Sequence, residues 1–405
     1  MRPSILTDRR LWLMVGFGFV AGLPLSLSGF TLRQWLSEQQ IPLAAIGLTA
    51  NIGLAYTLKF LWAPLLDQMR PPFGLARFGQ RRGWLLALQP PLAAMVALLA
   101  LSGAGPLEGT LAAAALVALL SSTQDIAIDA WRIETFPQRL QGAALAGYVW
   151  GYLVAMLISG AGAIAAAGFW GWSGSFLAVA ALLGCGVLVT LAAPEPPRRV
   201  RPPQPFGLLV RVRSAVVEPL REFVARPGAW AILAYVALFN LGEAMAGVML
   251  APFYRSLGFD RAAVAAATGV PALACTMAGI AAGGWLVAGI GLARALIYNR
   301  LTQMGAMALY VWLAHSHRDH NNILATEIVE AFVQALATPS FVTNHYRLCA
   351  AALTATQKAL LTSLAALATH TIGGFSGFIA QATGWPVFYV LAMGCAVPGM
   401  CVMLL

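Results

Sequence analysis

The sequence predicts an all-α integral membrane protein, with twelve transmembrane helices in two six-helix bundles. Hydrophobic residues make up 60% of the 405 residues and charged residues only 10%, with a mean hydropathy of +0.76. Soluble domains carry about a quarter charged residues, so this composition is far too apolar for a soluble fold. The apolar residues fall into long runs, and one basic stretch near the middle divides these runs into two groups of six.

Each predicted helix corresponds to an apolar run of roughly 20 residues, the length that crosses the hydrocarbon of a bilayer. Twelve such runs have their centres near residues 21, 56, 94, 120, 152, 181, 241, 275, 303, 335, 368 and 395. The first run follows a basic start, but it is long and lacks a small-residue cleavage site. We therefore expect a retained transmembrane helix there rather than a signal peptide.

The position of the basic stretch predicts the domain organisation. The first six runs end at APEPP in residues 193–197, so residues 1–197 form the predicted N-terminal bundle. Residues 198–226 form a linker rich in Arg and Pro, with a short surface helix expected around 206–225, and residues 227–405 form the second bundle. Two bundles joined by a central loop are typical of transporters of this length.

The positive charge of the chain is explained by membrane topology. A net charge of +10 would suggest a nucleic-acid partner in a soluble protein, but here the arginines lie in short connections between apolar runs. Loops after even-numbered helices carry most of them, whereas loops after odd-numbered helices carry few. By the positive-inside rule both termini and the central linker are predicted to be cytoplasmic.

The segment SSTQDIAIDAWRIE, residues 121–134, places three ionisable residues at helical spacing at the end of the fourth predicted helix. Asp125, Asp129 and Arg132 are four and three residues apart, which puts them on one face of a helix. Ionisable residues within a bilayer are costly and usually line a cavity or pair with each other. Asp125 lies deepest, where its charged form is most expensive, so we expect it to exchange protons during transport.

Further ionisable residues lie within other predicted helices. Lys59, in the second, is placed to neutralise Asp125 or Asp129, and a plain ion pair is as good an interpretation as substrate binding. Glu243 lies near the middle of the seventh helix and is a second candidate for protonation. Glu327 and Glu330 share one face of the tenth, and one of them is compatible with reaching the membrane surface instead. The expected proton-coupling residues are Asp125, Glu243, Asp129 and Glu330.

A second group of residues is expected to form a substrate cavity and a gate. Arginine and lysine suit carboxylates, amides pair with amides, and aromatic rings stack on sugars. Asp129 and Arg132 also suit an inner gate, through ion pairs with Arg81 and Arg82. The expected substrate-binding residues are Gln124, Arg132, Lys59, Tyr56, Gln357, Lys358 and Trp35.

Several chemistries are not indicated by the sequence. The tripeptide His317-Arg318-Asp319 lacks the other parts of a kinase signature. No GxxxxGK motif for ATP is present, and neither a metal site nor a cofactor is expected from the spacing of the five cysteines and the histidines. A membrane enzyme acting on lipid-linked sugars would need a polar cluster at a membrane face, and only His315, Asp319 and His320 approach one. We therefore expect a transporter rather than an enzyme.

Several segments of the sequence resemble a known family of permeases. They read FGFVAGLPLSLSGFTLRQWL, IGLTANIGLAYTLKFLWAPLLDQ, RRGWLLALQ, SSTQDIAIDAWRIE, APEPP and LTATQKALLTSL, and they occur in both halves of the chain. The family is AmpG, the muropeptide permeases of Gram-negative inner membranes. Asp67, followed by GQRRG in residues 79–83, also resembles the signature between the second and third helices of the major facilitator superfamily.

The resemblance implies the major facilitator fold with alternating access, and a gate at Asp67, Arg81 and Arg82. It also implies import of anhydro-muropeptides, GlcNAc joined to anhydro-MurNAc bearing a stem peptide, together with protons. Such import supplies peptidoglycan recycling and β-lactamase induction, the route to β-lactam resistance. Two positions depart from the family pattern: Asn240 replaces a lysine before the seventh-helix carboxylate, and Ala331 replaces an asparagine.

Together these observations predict a monomeric proton symporter of the inner membrane that takes a small sugar–peptide as its substrate. Its expected partners are protons and the lipid bilayer, without nucleic acid. The alternatives are a transporter of the same fold for another substrate, such as acetyl-CoA, a drug/proton antiporter, the membrane enzyme considered above, or a sensor that binds muropeptide without moving it.

Overall fold

The protein is built from helices throughout the part of the chain that the structure describes, with no β-strand there. The computed structural model describes residues 8–102, 106–197, 221, 234, 238, 241–348, 363, 366, 367, 369–395 and 397. The predicted all-α class is confirmed.

Nine α-helices are described before the central linker. They are α1 (Arg9–Ser28), α2 (Phe30–Glu38), α3 (Leu43–Leu48), α4 (Leu54–Leu58), α5 (Ala63–Gln68), α6 (Gln80–Leu101), α7 (Leu107–Thr135), α8 (Gln141–Leu157) and α9 (Ala163–Ala192). Short 3-10 turns lie between some of them, at Thr49–Gly53, Lys59–Leu61, Leu75–Phe78 and Gln138–Leu140, and a π-helical turn at Ile158–Gly162 joins α8 to α9.

Seven α-helices are described after the linker. They are α10 (Leu241–Ser256), α11 (Arg261–Thr268), α12 (Val270–Ile290), α13 (Leu292–His315), α14 (His320–Leu348), α15 (Ser376–Thr383) and α16 (Trp385–Gly394). The expected surface helix around 206–225 falls almost wholly outside the described residues.

Six helical stretches among the described residues are long and apolar enough to cross a membrane. They are Arg9–Glu38, Leu43–Leu61, Gln80–Leu101, Leu107–Thr135, Gln138–Ala192 and Arg261–Ile290. Each contains a predicted helix centre, and Gln138–Ala192, at 55 residues, contains two. Gly171 separates these two, since its φ of +70° lies in the left-handed region that glycine tolerates.

The chain divides into two compact units, one of Met1–Trp35 and Ala55–Gln204 and the other of Leu36–Leu54 and Pro205–Leu405. In the second unit, the Arg261 guanidinium donates to the Glu38 carboxylate at 2.6 Å, and α3 contacts α15 at Gly47 and Gly377. The division into bundles 1–197 and 227–405 with a linker at 198–226 stays a prediction.

The first unit is held together by close packing of α1 on α8. A Cβ on Gly18 would overlap the backbone of Tyr148, and one on Gly22 would overlap the backbone of Tyr152. Small residues allow helix backbones to approach closely in membranes, where packing replaces the hydrophobic effect as the attraction between helices. The core beside this contact holds Trp131 of α7, whose ring lies edge-on to Phe17 at 5.0 Å.

An aromatic cluster forms much of the core of the second unit. Phe253 on α10 lies 4.8 Å from Tyr389 on α16, and Tyr310 on α13 stacks on Tyr389 at 4.9 Å between ring centroids. All three rings are buried. This cluster fixes α10, α13 and α16 around the polar groups described below.

Candidate functional site

The deepest carboxylate of the first unit lies on α7 and is paired with a lysine. Asp125 is buried, with 9% of its side chain exposed, and its Oδ2 lies 3.5 Å from Lys59 Nζ. Lys59 opens the 3-10 turn Lys59–Leu61, where the second apolar segment departs from α-helical geometry. Lys59 thus lies at ion-pair distance from Asp125, one of the two carboxylates that it is predicted to neutralise.

Polar and aromatic groups surround this pair. Gln124 is fully buried, and its two amide atoms have no hydrogen-bond partner among the described residues. Tyr56, Tyr148 and Tyr152 lie within electrostatic range of Asp125. Buried polar atoms are normally satisfied, so the Gln124 amide is a group to which a bound molecule can supply partners.

Asp129 and Arg132 form a separate pair one turn along α7. Arg132 Nη2 donates to Asp129 Oδ1 at 3.3 Å, and its Nη1 donates to the Gln141 side chain at 3.1 Å. Asp129 is about half exposed. The expected ion pairs from these two residues to Arg81 and Arg82 are not found among the contacts of the described residues, because both arginines face other partners.

Arg81 is the centre of an ion network at the ends of α5, α6 and α7. Its guanidinium donates to both carboxylate oxygens of Glu134, at 2.6 and 2.9 Å, and to Asp67 at 2.8 Å. A guanidinium held by two carboxylates matches the planar geometry that arginine recognises best. Asp67 and Arg81 are thus brought together as the sequence signature predicts, while their action as a gate stays a prediction.

The N-terminus of α6 is capped by a distant carboxylate. Glu195 accepts hydrogen bonds from the backbone N–H groups of Arg81 and Arg82, at 2.9 and 3.0 Å. A carboxylate is favoured there because the first N–H groups of a helix lack helical partners. Gly79 makes room for it, since φ is +104° and a Cβ would overlap the Glu195 side chain. Arg82 turns away to the carbonyls of Thr190 and Leu191.

The second unit holds a carboxylate–guanidinium pair in which the cation, and not the carboxylate, is the more buried member. Glu243 Oε1, on α10, lies 3.8 Å from Arg300 Nη1, on α13. Arg300 is 1% exposed at its side chain and Glu243 13%. Gln303, one turn along α13, accepts a hydrogen bond from Arg300 Nη1 at 3.1 Å.

A cavity of about 380 Å³ opens beside this pair. Glu243 and Gln303 form part of its wall, together with the polar side chains of Thr276, Gln334 and Thr338. Ligand cavities in proteins have volumes of roughly 300–1,000 Å³, so this volume suits part of a sugar–peptide.

Two more carboxylates lie on α14. Glu327 is buried and accepts a hydrogen bond from the Tyr254 hydroxyl. Glu330 is half-buried and lies within electrostatic range of Glu327 and Glu243. The structure therefore groups Glu243 and Glu330, two of the predicted proton-coupling residues, in one region.

The remaining predicted residues are less informative. Trp35 is buried and packs edge-on against Phe176 at 5.3 Å, so its place in substrate binding stays a prediction. Gln357 and Lys358 lie outside the described residues. In the histidine-containing loop, His320 Nε2 lies 3.7 Å from Asp260, with both side chains largely exposed. No group of three metal-binding side chains occurs in the described part of the chain.

Three charged site residues were missed from the sequence, Arg300, Glu134 and Glu195, as were the polar cavity residues Thr276, Gln303, Gln334 and Thr338. Arg300 had a signal, because it interrupts the ninth apolar run and an ionisable residue in a transmembrane helix is a functional candidate by default. Glu134 and Glu195 lie at the ends of apolar runs, where charges are common. Their partners are more than fifty residues away, and nothing local in the sequence indicates them.

The sequence matches the Major Facilitator Superfamily over residues 14–369. It is 36% identical to the anhydromuropeptide permease of Escherichia coli over 403 residues, which cover 99% of this chain and 80% of that protein. It is 32% identical to the putative transporter AmpG 4 of Rickettsia felis over 406 residues, covering 99% and 97% of the two chains.

Solved structures similar to this one are transporters. A POT family transporter in complex with 5-aminolevulinic acid superposes with a TM-score of 0.72 at 13% identity, covering 98% of this chain and 96% of that one. The nucleoside transporter NupG superposes with a TM-score of 0.69 at 14% identity, covering 98% of each chain. At these identities the similarity shows the fold alone.

The sequence matches show that this protein is a membrane transporter rather than an enzyme, and its fold is consistent with them. The resemblance found in the sequence segments is confirmed: the chain belongs to the Major Facilitator Superfamily and, within it, to the AmpG family of permeases.

Proposed function

We propose that this protein is a proton-coupled importer of anhydro-muropeptides, which carries GlcNAc–anhydro-MurNAc peptides into the cytoplasm by alternating access. The identity to an anhydromuropeptide permease along 99% of the chain supports the substrate class. A sugar–peptide of this kind carries hydroxyls, amides and carboxylates. The described sites offer a matching set of side chains: amides at Gln124, Gln303 and Gln334, cations at Lys59 and Arg132.

The observation that carries the proton coupling is the buried pair of Asp125 and Lys59. A carboxylate with 9% of its side chain exposed, within a predicted transmembrane helix, is costly as a charge and much less costly as a neutral acid. When Lys59 moves away or takes another partner, Asp125 gains most by binding a proton. Such a group couples a conformational change to proton uptake. Asp129, Glu243 and Glu330 are the other proposed proton-coupling residues.

We also place substrate contacts in the first unit, around the pair of Asp125 and Lys59. Gln124, Tyr56 and Lys59 cluster around Asp125, and Arg132 lies along the same face of α7. Trp35, Gln357 and Lys358 complete the proposed set. Asp67, Arg81 and Arg82 are proposed as the gate, because two of them already share an ion network that joins three helix ends.

The proposed location is the bacterial inner membrane, with both termini in the cytoplasm and the protein acting as a monomer. The distribution of arginine over the loops supports this orientation. Uptake of recycled cell-wall fragments also requires a permease in that membrane.

The deciding experiment measures uptake of radiolabelled anhydro-muropeptide into proteoliposomes with and without an imposed pH gradient. We expect accumulation above the external concentration when the outside is acidic, and only equilibration after a protonophore is added. Uptake that does not depend on the pH gradient would show that transport is not coupled to protons. Absence of uptake, with transport of acetyl-CoA or of a drug instead, would favour another member of the same fold.

A further inference from the structure

We propose that Arg300 is the receptor for a carboxylate of the substrate's stem peptide, and that Glu243 occupies this position in the empty transporter. The proposal rests on the proposed function and extends it. It assigns a binding residue and a ligand group to the second unit.

The first observation that supports this role is the burial of Arg300. Its guanidinium is 1% exposed and lies 3.8 Å from Glu243. A guanidinium stays charged under all physiological conditions, so its buried charge must be balanced by an anion. An ion pair in a low-dielectric interior is retained only if each charge keeps a partner. Loss of the negative charge of Glu243 therefore takes away an anion within ion-pair distance of Arg300, and favours another anion in its place.

The second observation is the cavity beside the ion pair. Glu243 and Gln303 both lie close to Arg300, and both form part of the cavity wall. Glu243 is the more exposed member of the pair, so a ligand in the cavity meets the carboxylate first and the guanidinium behind it. Gln334, Thr276 and Thr338 provide donors for the remaining polar groups of a peptide.

Charge balance then links the ligand to the proton. One proton binds a carboxylate oxygen of Glu243, the neutral acid releases Arg300 Nη1, and the ligand carboxylate takes its place. The net charge of the site is the same before and after, so one proton accompanies one bound carboxylate. Among the described residues, the other carboxyl groups in this region are Glu330 and, one turn earlier on α14, Glu327 with its Tyr254 hydrogen bond. Neither carboxyl group attracts an added anion, so Arg300 is the group that does.

The test compares two forms of one ligand by isothermal titration calorimetry on purified protein. The first is an anhydro-muropeptide whose stem peptide has free carboxylates, and the second has every carboxylate converted to an amide. We expect the wild-type protein to bind the free form at least tenfold more tightly, and Arg300→Gln to bind the two forms equally. Arg294→Gln removes an exposed arginine from the same helix and should keep the wild-type preference.

A second variant tests the same exchange from the side of the carboxylate, with binding and its pH dependence as the readouts. Glu243→Gln imitates the protonated acid, so it should bind the free form at least as tightly as the wild type and without dependence on pH. Its melting temperature should rise on addition of the free form and not of the amide. Glu108→Gln removes an exposed carboxylate from the first turn of α7, and should keep the pH dependence of binding.

The outcomes separate the two proposals. Binding of both forms by the wild type with equal affinity, or a preference that survives in Arg300→Gln, would overturn the role of Arg300 and leave the proposed function intact. If the wild-type protein binds neither form, the proposed substrate class and the role of Arg300 both fail.

Discussion

The two units each contain a carboxylate–cation pair, and the pairs are buried in opposite ways. In the first unit the carboxylate is the deep member: Asp125 is 9% exposed and Lys59 33%. In the second unit the cation is the deep member: Arg300 is 1% exposed and Glu243 13%. The deep member is the one that cannot reach water, so its charge decides what each site needs.

A buried carboxylate and a buried guanidinium are neutralised by different means. A carboxylate loses its charge by taking up a proton, whereas a guanidinium keeps its charge and must be matched by an anion. The comparison therefore suggests a proton site at Asp125 and an anion site at Arg300. The predictions below are ordered from the largest expected effect to the smallest.

The largest effect is expected on stability when Glu243 is replaced. Glu243→Gln removes the carboxylate at 3.8 Å from Arg300, and breaking a buried pair from one side costs roughly 3 kcal/mol or more. Asp125→Asn should cost much less, because the remaining Lys59 is one-third exposed and reaches water. Thermal unfolding of both variants in detergent measures the difference. Equal losses in the two variants would show that the burial of the cation does not matter.

The next effect concerns transport. Asp125→Asn should reduce uptake driven by a pH gradient at least tenfold, which corresponds to about 1.4 kcal/mol, because asparagine binds no proton. Exchange of labelled for unlabelled substrate across the membrane, which needs no net proton movement, should persist. Asp125→Glu serves as the control, since it keeps an ionisable group. Normal gradient-driven uptake by Asp125→Asn would remove this residue from the mechanism.

Tyrosines lie near the carboxylates of both units, and two of them differ in whether the hydroxyl is hydrogen-bonded in the described structure. Tyr254→Phe removes the hydroxyl that donates to Glu327, and its loss should reduce the free energy of unfolding by about 1 kcal/mol. Tyr148→Phe, near Asp125, removes a hydroxyl for which the described residues show no such bond, and should have little effect on stability. Chemical denaturation of the two variants provides the measurement, and a larger loss in Tyr148→Phe would contradict it.

The smallest effect is expected at an ion pair next to water, which serves as the reference for both buried pairs. The Arg10 guanidinium donates to Asp8 and lowers the pKa of that carboxyl below its ordinary value. A group whose pKa is lower in the folded than in the unfolded state stabilises the fold above its unfolded pKa of about 3.9. That contribution is lost as the pH falls through the lower, folded value.

Asp8→Asn keeps a capping side chain at the start of α1 while it removes the charge. We expect a loss of about 0.5 kcal/mol at neutral pH, and a smaller difference from the wild type in acid. Melting temperatures measured at both pH values test this sign. A loss of stability as large as that of Glu243→Gln would mean that the exposure of an ion pair does not determine how much it stabilises the fold.

The helices themselves follow from local properties of the sequence. Seven of the twelve apolar runs, the six before the linker and the one centred near residue 275, lie in the six helical stretches of membrane-spanning length. An apolar run of sufficient length is helical in a bilayer whatever its neighbours are. The end of the sixth predicted helix at APEPP is also found, since α9 stops at Ala192. Charged residues inside these runs mark candidate sites for a similar reason: the cost of a charge in hydrocarbon is local.

The partners of those charges were decided by tertiary structure. Asp125 and Lys59 are 66 residues apart, and Glu195 accepts a hydrogen bond at the start of α6 from Arg81, 114 residues earlier in the chain. Such pairs depend on which helix faces pack together, and that choice is made by close contacts such as Gly18 against Tyr148. The sequence by itself thus determined where the helices and the buried charges lie. Only the fold decided which charges pair and which member of each pair is the more buried, because both depend on how the helices pack.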